Sequence, residues 1–188
     1  GIYSPQDGKY FEDVYVSYKN FKTNQWGPPE LADFNRPNSN QATVSVSADG
    51  QFLYFYKDDN EGNGDIYVSE RDDDNYYSPK KLSAVNSSAW ETHVTSSIDG
   101  NIMFFVSDRE GGYGGRDIYR LFKIPNGEWS EPFNVGPPIN TPFDEDSPFL
   151  HPDGKTLYFS SNGEKSMGGF DIFHTQLGDQ GKWTDPVN

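Results

Sequence analysis

The sequence repeats itself at intervals of 50 to 54 residues, and this repeat constrains the fold more than any other feature. A tight Asp-Gly pair recurs at Asp49-Gly50, Asp99-Gly100 and Asp153-Gly154. An aspartate followed by two apolar residues recurs as Asp13, Asp65, Asp117 and Asp171. An aromatic residue follows each of these aspartates after 12 or 13 positions, in the order Trp26, Tyr77, Trp129 and Trp183. Because these marks stay in phase, one small structural unit recurs along the chain.

Each repeat carries the signals of β-strands. The Asp-Gly pairs lie between a short strand pattern and a longer apolar one, such as 44–47 and 52–56, which is typical of a hairpin. The second strand is apolar at consecutive positions, so both of its faces should be buried. A glycine-rich loop leads to a third strand at the recurrent aspartate, and a polar turn leads to a fourth at the recurrent aromatic residue. Four antiparallel strands per repeat predict the blades of a β-propeller.

The phase of the marks predicts the division of the chain into blades. We expect a half blade with its link over 1–40, and whole blades over 41–90, 91–144 and 145–188. A helical solenoid lacks support because there is no 3.6-residue periodicity, and a Greek-key sandwich would not keep so regular a phase. Propellers close with roughly four to eight blades. The sequence therefore predicts an all-β segment of about three and a half blades from a ring of six to eight, completed by the parent chain or by a second copy.

Composition excludes several functions. The chain of 188 residues has 29 acidic and 15 basic residues, for a net charge of -14, which disfavours binding to nucleic acid or to an anionic lipid surface. Its longest apolar runs, 52–56 and 102–106, are far shorter than the roughly 20 residues of a membrane span, so we expect no membrane insertion. It has no cysteine for a disulfide or a thiol nucleophile. It begins at Gly1 without a signal peptide, so we expect a processed or excised piece.

The last blade carries a resemblance to a known family. The segment 151–162, which includes Pro152-Asp153-Gly154, and the following Gly168-Gly169-Phe170-Asp171-Ile172-Phe173 resemble the WD40-like Pro-Asp-Gly repeat of TolB-type β-propellers. In the other two whole blades, Ala48 and Ile98 stand in the place of the proline. The resemblance covers nearly the whole chain.

The link 138–146 is similar to that of propellers in bacterial envelope proteins, some of them from the type IX secretion apparatus, that also carry tetratricopeptide repeats and an OmpA-like domain. That resemblance implies a periplasmic, outer-membrane-associated interaction module without catalysis. Its partners would be other envelope proteins and, through a separate domain, peptidoglycan.

Strand direction places the long loops of every blade on one face. The loops between second and third strands share a rim with the links between blades, and the tight Asp-Gly turns lie on the opposite rim. Loops on a rigid scaffold are where binding usually resides, so we expect a partner on the long-loop side. The acidic residues predicted to bind it are Asp58, Asp59, Glu61, Asp108, Glu110, Asp144 and Glu164. Their charge would steer a basic segment or a cation, although a merely solvated rim is the simpler alternative.

The first strand of each blade should line the central channel. By phase, the residues predicted there are Gln41, Glu91, His93, Glu145 and Asp146. The four ionisable ones could hold a calcium ion through oxygen ligands, as some TolB-like propellers do. We favour ordered water in a polar channel and predict no metal site and no resident cofactor.

The recurrent residues are better explained by structure than by catalysis. We expect each of Asp13, Asp65, Asp117 and Asp171 to accept backbone hydrogen bonds from its own loop, and each recurrent aromatic residue to anchor packing. The segment 58–65 resembles a calcium loop but has Ser69 where the bidentate glutamate should stand.

Enzyme signatures are missing from the sequence. There is no Gly-x-Ser-x-Gly elbow and no His-Glu-x-x-His motif. We therefore predict a non-catalytic docking module. One alternative is a carbohydrate or peptidoglycan-fragment binder that stacks sugars on Tyr76, Tyr77, Tyr113 and Trp90. Another is a glycan hydrolase such as a sialidase, although sialidase Asp boxes place a residue between Asp and Gly.

Overall fold

The computed structural model describes residue 8 and residues 10–58, 63–73 and 75–188. Within these ranges the chain forms fifteen strands and no helix, which confirms the predicted all-β class. The first forty residues contain four short strands: β1 (Tyr15–Val16), β2 (Lys19–Asn20), β3 (Gln25–Trp26) and β4 (Glu30–Leu31). β1 pairs with β4 and β2 pairs with β3, so one long hairpin is interrupted between its inner and outer parts.

Three larger antiparallel sheets follow. The first whole blade contains β5 (Gln41–Val46), β6 (Phe52–Asp58), β7 (Gly64–Asp72) and β8 (Asn75–Lys81), paired in that order. The second contains β9 (Glu91–Ser96), β10 (Ile102–Ser107), β11 (Asp117–Phe122) and β12 (Phe133–Asn134). The third contains β13 (Glu145–Leu150), β14 (Thr156–Ser161) and β15 (Asp171–Gln176).

The outermost strands of the second and third whole blades are shorter than the sequence predicts. β12 has 2 residues, and the expected fourth strand of the third whole blade is reduced to the bridges Leu177–Trp183 and His174–Val187. Pro132 and Pro186 stand in these segments, and a proline has no N–H group to donate to the ladder. In these two blades regular pairing is lost at the outer edge, whereas β8 of the first whole blade keeps 7 residues although it contains Pro79.

The Asp-Gly pairs form the tight turns between first and second strands, as predicted. Gly50, Gly100 and Gly154 have φ angles of 70°, 66° and 68°, which glycine adopts without strain. The preceding aspartates accept backbone hydrogen bonds within the turn, for example at 2.8 Å from the Lys155 N–H to Asp153 Oδ1. These bonds to Lys155 and Thr156 lower the pKa of Asp153.

The sheets pack face to face through two clusters rich in aromatic side chains. Tyr54 and Ile66 of the first whole blade pack with Val94 and Phe105 of the second. Phe104 and Ile118 of the second pack in the same way with residues of the third. The predicted burial of both faces of the second strand is confirmed by β10, where residues 103–107 are all buried.

The first strands of neighbouring blades lie next to one another. The Ser45 hydroxyl on β5 donates to the Val94 carbonyl on β9 at 2.7 Å, and His93 on β9 lies 2.7 Å from Asp146 on β13. All three first strands also carry a register shift within their pairing to the second strand. The sheets therefore meet at their first strands and present their fourth strands outwards.

Candidate functional site on the long-loop face

Long loops and interblade links lie together on one side of the sheets. We call this side the long-loop face; its described parts are the loops 108–116 and 162–170 and the links 32–40, 82–90 and 135–144. Two hydrogen bonds of 2.9 Å tie these segments together, from the Arg116 N–H to Asp144 Oδ1 and from the Asp144 N–H to Asn162 Oδ1. Gly114 lies so close to the Phe143 carbonyl that a Cβ atom there would collide with it. The face is thus a packed surface rather than a set of independent loops.

Two predicted binding acids have structural partners on this face. Asp58 accepts from the Asn40 N–H at 2.7 Å, and Asp108 accepts from the Trp90 N–H at 2.8 Å. Asn162 holds the corresponding N–H of Asp144 in the third whole blade. A residue at the end of each second strand, or directly after it, therefore fixes the residue that precedes the first strand of the same blade.

The other predicted acids differ in their surroundings. Asp144 is half-buried and lies 3.7 Å from Arg116 Nη2. Glu110 and Glu164 are exposed to solvent. Asp59 and Glu61 lie outside the described residues.

The three residues at the start of the first strands are buried in the blade corners. Gln41, Glu91 and Glu145 are between 0% and 1% exposed. Glu145 accepts from the Thr141 hydroxyl at 2.6 Å and from the Thr141 N–H at 2.9 Å. Glu91 contacts Ser87 in the same way, and Gln41 bonds the Arg36 backbone. This corrects the prediction that these side chains line the channel, because each turns towards the link that leads into its blade.

Glu145 has an unusual electrostatic environment. Burial raises its pKa above the ordinary value of 4.5, and this effect outweighs the hydrogen bonds from Thr141 and Ser161 that lower it. Glu91 lies in the equivalent place but pairs with Arg109, whose Nη2 is 3.0 Å from Glu91 Oε1.

His93 and Asp146 form a charged network between neighbouring first strands. His93 Nδ1 lies 2.7 Å from Asp146 Oδ1, and Arg116 Nη1 lies 2.5 Å from Asp146 Oδ2. Burial alone would raise the pKa of Asp146, but the hydrogen bond and charge of His93 and the charge of Arg116 hold it below the ordinary value of 3.8. Ser147, which follows, has a φ of 50° and its hydroxyl is 3.5 Å from His93 Nε2.

The four residues considered as possible calcium ligands do not come together. His93 and Asp146 are in contact, whereas Glu91 and Glu145 are engaged in separate blade corners. Among the residues that the structure describes, no group of three His, Asp or Glu side chains could hold a metal ion.

An exposed aromatic patch that the sequence analysis only partly anticipated lies on the long-loop face. Its members, defined here as the aromatic patch, are Trp90, Tyr113, Phe143 and Phe170. Arg116 lies between two of them, with its guanidinium carbon 6.0 Å from the Trp90 ring and 5.5 Å from the Phe170 ring. The charge network therefore holds an arginine between aromatic rings at the surface.

The recurrent aspartates behave differently from one another. Asp117 accepts from the Tyr113 N–H at 2.7 Å, and Asp171 accepts from the Met167 N–H. Asp65 pairs with Lys81 at 2.5 Å, and Asp13 is half-buried.

The recurrent aromatic residues also differ. Trp129 and Trp183 pack against the two interblade clusters. Trp26 is exposed, with Lys19 lying over its ring. Tyr77 lies on β8, where the structure describes its backbone pairing with Glu70.

A repeated asparagine in the links was not among the residues predicted from the sequence. Asn140 accepts from the Ile118 N–H at 2.9 Å and donates to the Ile118 carbonyl at 2.8 Å. Asn86 makes both bonds to Ile66, and Asn35 makes both to Val14. The signal was present, because Asn86 and Asn140 have the same 54-residue spacing as the two last recurrent aspartates. Each side-chain amide makes the two backbone hydrogen bonds that a residue of a neighbouring strand would make. It thereby attaches the link to the third strand of the preceding blade.

No family model matches the sequence, and no curated protein matches it either. Solved structures do match. An Agrobacterium tumefaciens protein assigned as TolB is 18% identical with a TM-score of 0.60 over 90% of this chain and 59% of its own. TolB from Acinetobacter baumannii is 14% identical with a TM-score of 0.54 over 91% of this chain and 37% of its own.

The chain has the fold of a TolB-type β-propeller segment. The predicted propeller class is therefore confirmed. The chain spans 59% and 37% of the lengths of these two neighbours, consistent with a partial propeller. No helix in the described part of the chain is long and apolar enough to cross a membrane.

Proposed function

We propose that this propeller segment is a non-catalytic module that docks other envelope proteins through its long-loop face. The observation that carries the proposal is the arrangement of Trp90, Arg116 and Phe170, in which a guanidinium held by Asp144 and Asp146 lies between two exposed rings. Aromatic residues and arginine are enriched in the centres of protein interfaces, where they contribute most of the binding energy. Holding the arginine in place reduces the entropy that a partner must remove on binding.

The acidic residues around the patch support the same proposal. Glu110 and Glu164 are exposed on the loops that border it, and the chain as a whole carries a charge of -14. Such a surface attracts a basic partner segment and increases its association rate. Asp58 and Asp108 contribute charge while their hydrogen bonds fix the loops.

The absence of catalysis is part of this proposal. The carboxylate of Asp146 is paired with Arg116 and contacts His93, and the buried Glu91 is paired with Arg109. A periplasmic, outer-membrane-associated location within a secretion-related or OmpA-containing assembly is what the envelope resemblance implies. Further blades would complete a ring of six to eight, and a separate domain would contact peptidoglycan.

A variant-based capture experiment tests the docking face. The double variant Trp90→Ser, Phe170→Ser should lose specific proteins captured from the source organism's envelope extract. Ile98→Ser is the matched control, because Ile98 is 60% exposed on an Asp-Gly turn at the other rim. Equal capture by the double variant and the wild type would contradict the proposal. A glycan array that binds the wild type and loses binding with Tyr113→Ala would favour the carbohydrate alternative instead.

A further inference from the structure

The interface between the first and second whole blades contains a niche filled by an arginine. The Arg109 guanidinium carbon lies 4.9 Å from the Phe105 ring and 5.0 Å from the Tyr119 ring. Its Nη2 donates to the Val85 carbonyl at 2.6 Å and to Glu91 Oε1 at 3.0 Å. Two rings, one carbonyl and one buried carboxylate thus surround a guanidinium.

The same niche recurs between the second and third whole blades at a constant offset of 54 residues. Phe159 and Phe173 stand in the places of Phe105 and Tyr119, with ring centroids 5.9 Å apart at 25°. The Phe105–Tyr119 pair has nearly the same geometry, at 5.6 Å and 24°. The walls of the niche are therefore kept.

The residue that fills the niche differs between the two repeats. Gly163 stands in the place of Arg109, and a Cβ built on it would lie 3.2 Å from Ser161 Oγ and 3.5 Å from Thr141 Oγ1. Those residues line a cavity of about 430 Å³ together with Ile139, Phe159 and Phe173. Its volume is in the range of roughly 300–1,000 Å³ that is usual for ligand sites. The cavity lies where the Arg109 side chain lies in the preceding blade.

The carboxylate of the niche is also kept. Glu145 stands in the place of Glu91, is 0% exposed and accepts from the hydroxyls of Thr141 and Ser161, which line the cavity. No salt bridge involves Glu145 among the described residues, whereas Glu91 pairs with Arg109. A buried carboxylate without a cation is costly, and a guanidinium in the cavity would relieve that cost.

The first whole blade shows a third solution. Phe55 and Tyr67 form the ring pair at 5.6 Å and 22°, Phe34 stacks on Phe55, and Lys57 lies over Tyr67. There the acidic position is the neutral Gln41. In the second whole blade, Arg109 is present together with the acidic Glu91. In the first whole blade, where no acid is present, the Phe34 ring and Lys57 fill the niche. Only the third whole blade, within the described chain, combines the acid with an open cavity.

We propose that the cavity lined by Phe159, Phe173 and Thr141 binds the arginine side chain of a partner protein in the way that the preceding blade binds Arg109. The proposal rests on the docking function proposed above and names the chemistry of the partner's anchor. The partner guanidinium stacks on the two rings and donates to Glu145, which the lining residues Thr141 and Ser161 contact. Arginine suits this site better than lysine, because its planar group stacks on rings while donating hydrogen bonds at its edge.

The cavity opens on the long-loop face. Phe143 of the aromatic patch and the exposed Glu164 and Lys165 also line it, and the charges of the last two offset each other at the mouth. An arginine anchored here would therefore bring its polypeptide onto the proposed docking surface.

The test uses N-acetyl-arginine amide as the probe and N-acetyl-citrulline amide as its neutral counterpart. Backbone NMR titration should give saturable shifts centred on Gly163 with the arginine compound. Binding of citrulline should be at least about tenfold weaker, because a hydrogen bond between charged groups is lost. Equal binding of both compounds, or no saturable shift, would overturn the proposal.

Two variants locate the site. Glu145→Gln should weaken arginine binding by about tenfold and still fold, because the first whole blade has Gln41 at this place. Gly163→Arg should abolish binding, because the new side chain would occupy the cavity as Arg109 does in the preceding blade. Glu128→Gln, on a distant exposed turn, is the charge-matched control.

The outcomes separate this inference from the docking function. If Glu128→Gln weakens binding as much as Glu145→Gln, the probe is attracted by general surface charge and the arginine site is wrong. If the probe fails to bind but capture still depends on Trp90 and Phe170, only the arginine site is wrong. If the probe binds and capture does not depend on the aromatic patch, the docking face is wrong.

Discussion

Nη2 of Arg109 lies 3.0 Å from Oε1 of Glu91, in the corner between the first and second whole blades. Glu91 is fully buried, so Glu91→Gln leaves the guanidinium without its carboxylate. Breaking such a pair costs about 3 kcal/mol of unfolding free energy, the lower end of the usual range because Arg109 remains partly exposed. Urea denaturation at neutral pH measures the loss. An unchanged unfolding free energy would mean that the pair does not stabilise the blade corner.

Glu145→Gln should increase the unfolding free energy at neutral pH, in contrast to Glu91→Gln. Burial raises the pKa of Glu145, so its stabilising contribution is complete below the ordinary value of 4.5 and falls as pH rises through the raised value. Relative to the wild type, the glutamine variant should therefore gain stability between pH 4.5 and the raised pKa, and the difference should be constant above it. Thermal melts from pH 4 to pH 8 check this. A difference that does not change with pH would contradict the raised pKa.

Asp146→Asn should show the reverse dependence on pH. The pKa of Asp146 is lowered, since His93 and Arg116 outweigh the effect of burial. Its contribution is present above the ordinary value of 3.8 and is lost as pH falls through the lowered value. The variant should thus be less stable than the wild type at pH 6, with a smaller deficit at pH 3. Urea denaturation at both pH values measures this, and an equal deficit would argue against the charge network.

Asn140→Ala should destabilise the second whole blade. The asparagine satisfies both backbone groups of Ile118, which is fully buried, and alanine would leave them without partners. We expect a loss of about 2 kcal/mol. Asn140→Asp should not recover the loss, because Asn140 is 1% exposed and a buried carboxylate there would face the Ile118 carbonyl without a cation. Asn126→Ala on an exposed turn is the control, and a loss there as large as at Asn140 would refute the specific role.

The sequence predicts the parts of the fold that repeat with distinctive residues. Asp-Gly pairs require a turn at fixed places, and consecutive apolar residues in 102–106 require burial on both faces. The weak outer strands were not predicted, since the loss of pairing depends on where Pro132 and Pro186 fall in the ladder. The link asparagines were visible in the spacing but were not recognised, because one polar residue gives no strand or turn signal of its own.

The candidate site could be predicted only in part. Strand direction predicts that the long loops lie on one face, but the sequence does not reveal which acidic side chains on that face turn inwards. Glu91 and Glu145 were placed in the channel because strand phase alone does not show that link hydroxyls capture them. The open cavity arises because Gly163 in the third whole blade replaces Arg109 of the second. The sequence shows this replacement but does not show that the arginine side chain lies over the Phe105 and Tyr119 rings.

Site-specific photocrosslinking in intact cells of the source organism tests the docking face most directly. A benzophenone amino acid at Tyr113 would lie within the aromatic patch, and one at Ile98 would lie on the opposite rim. Docking through the long-loop face predicts protein adducts of defined mass from position 113 and none from position 98. Adducts from position 98 alone, or the same adducts from both positions, would contradict docking through the long-loop face.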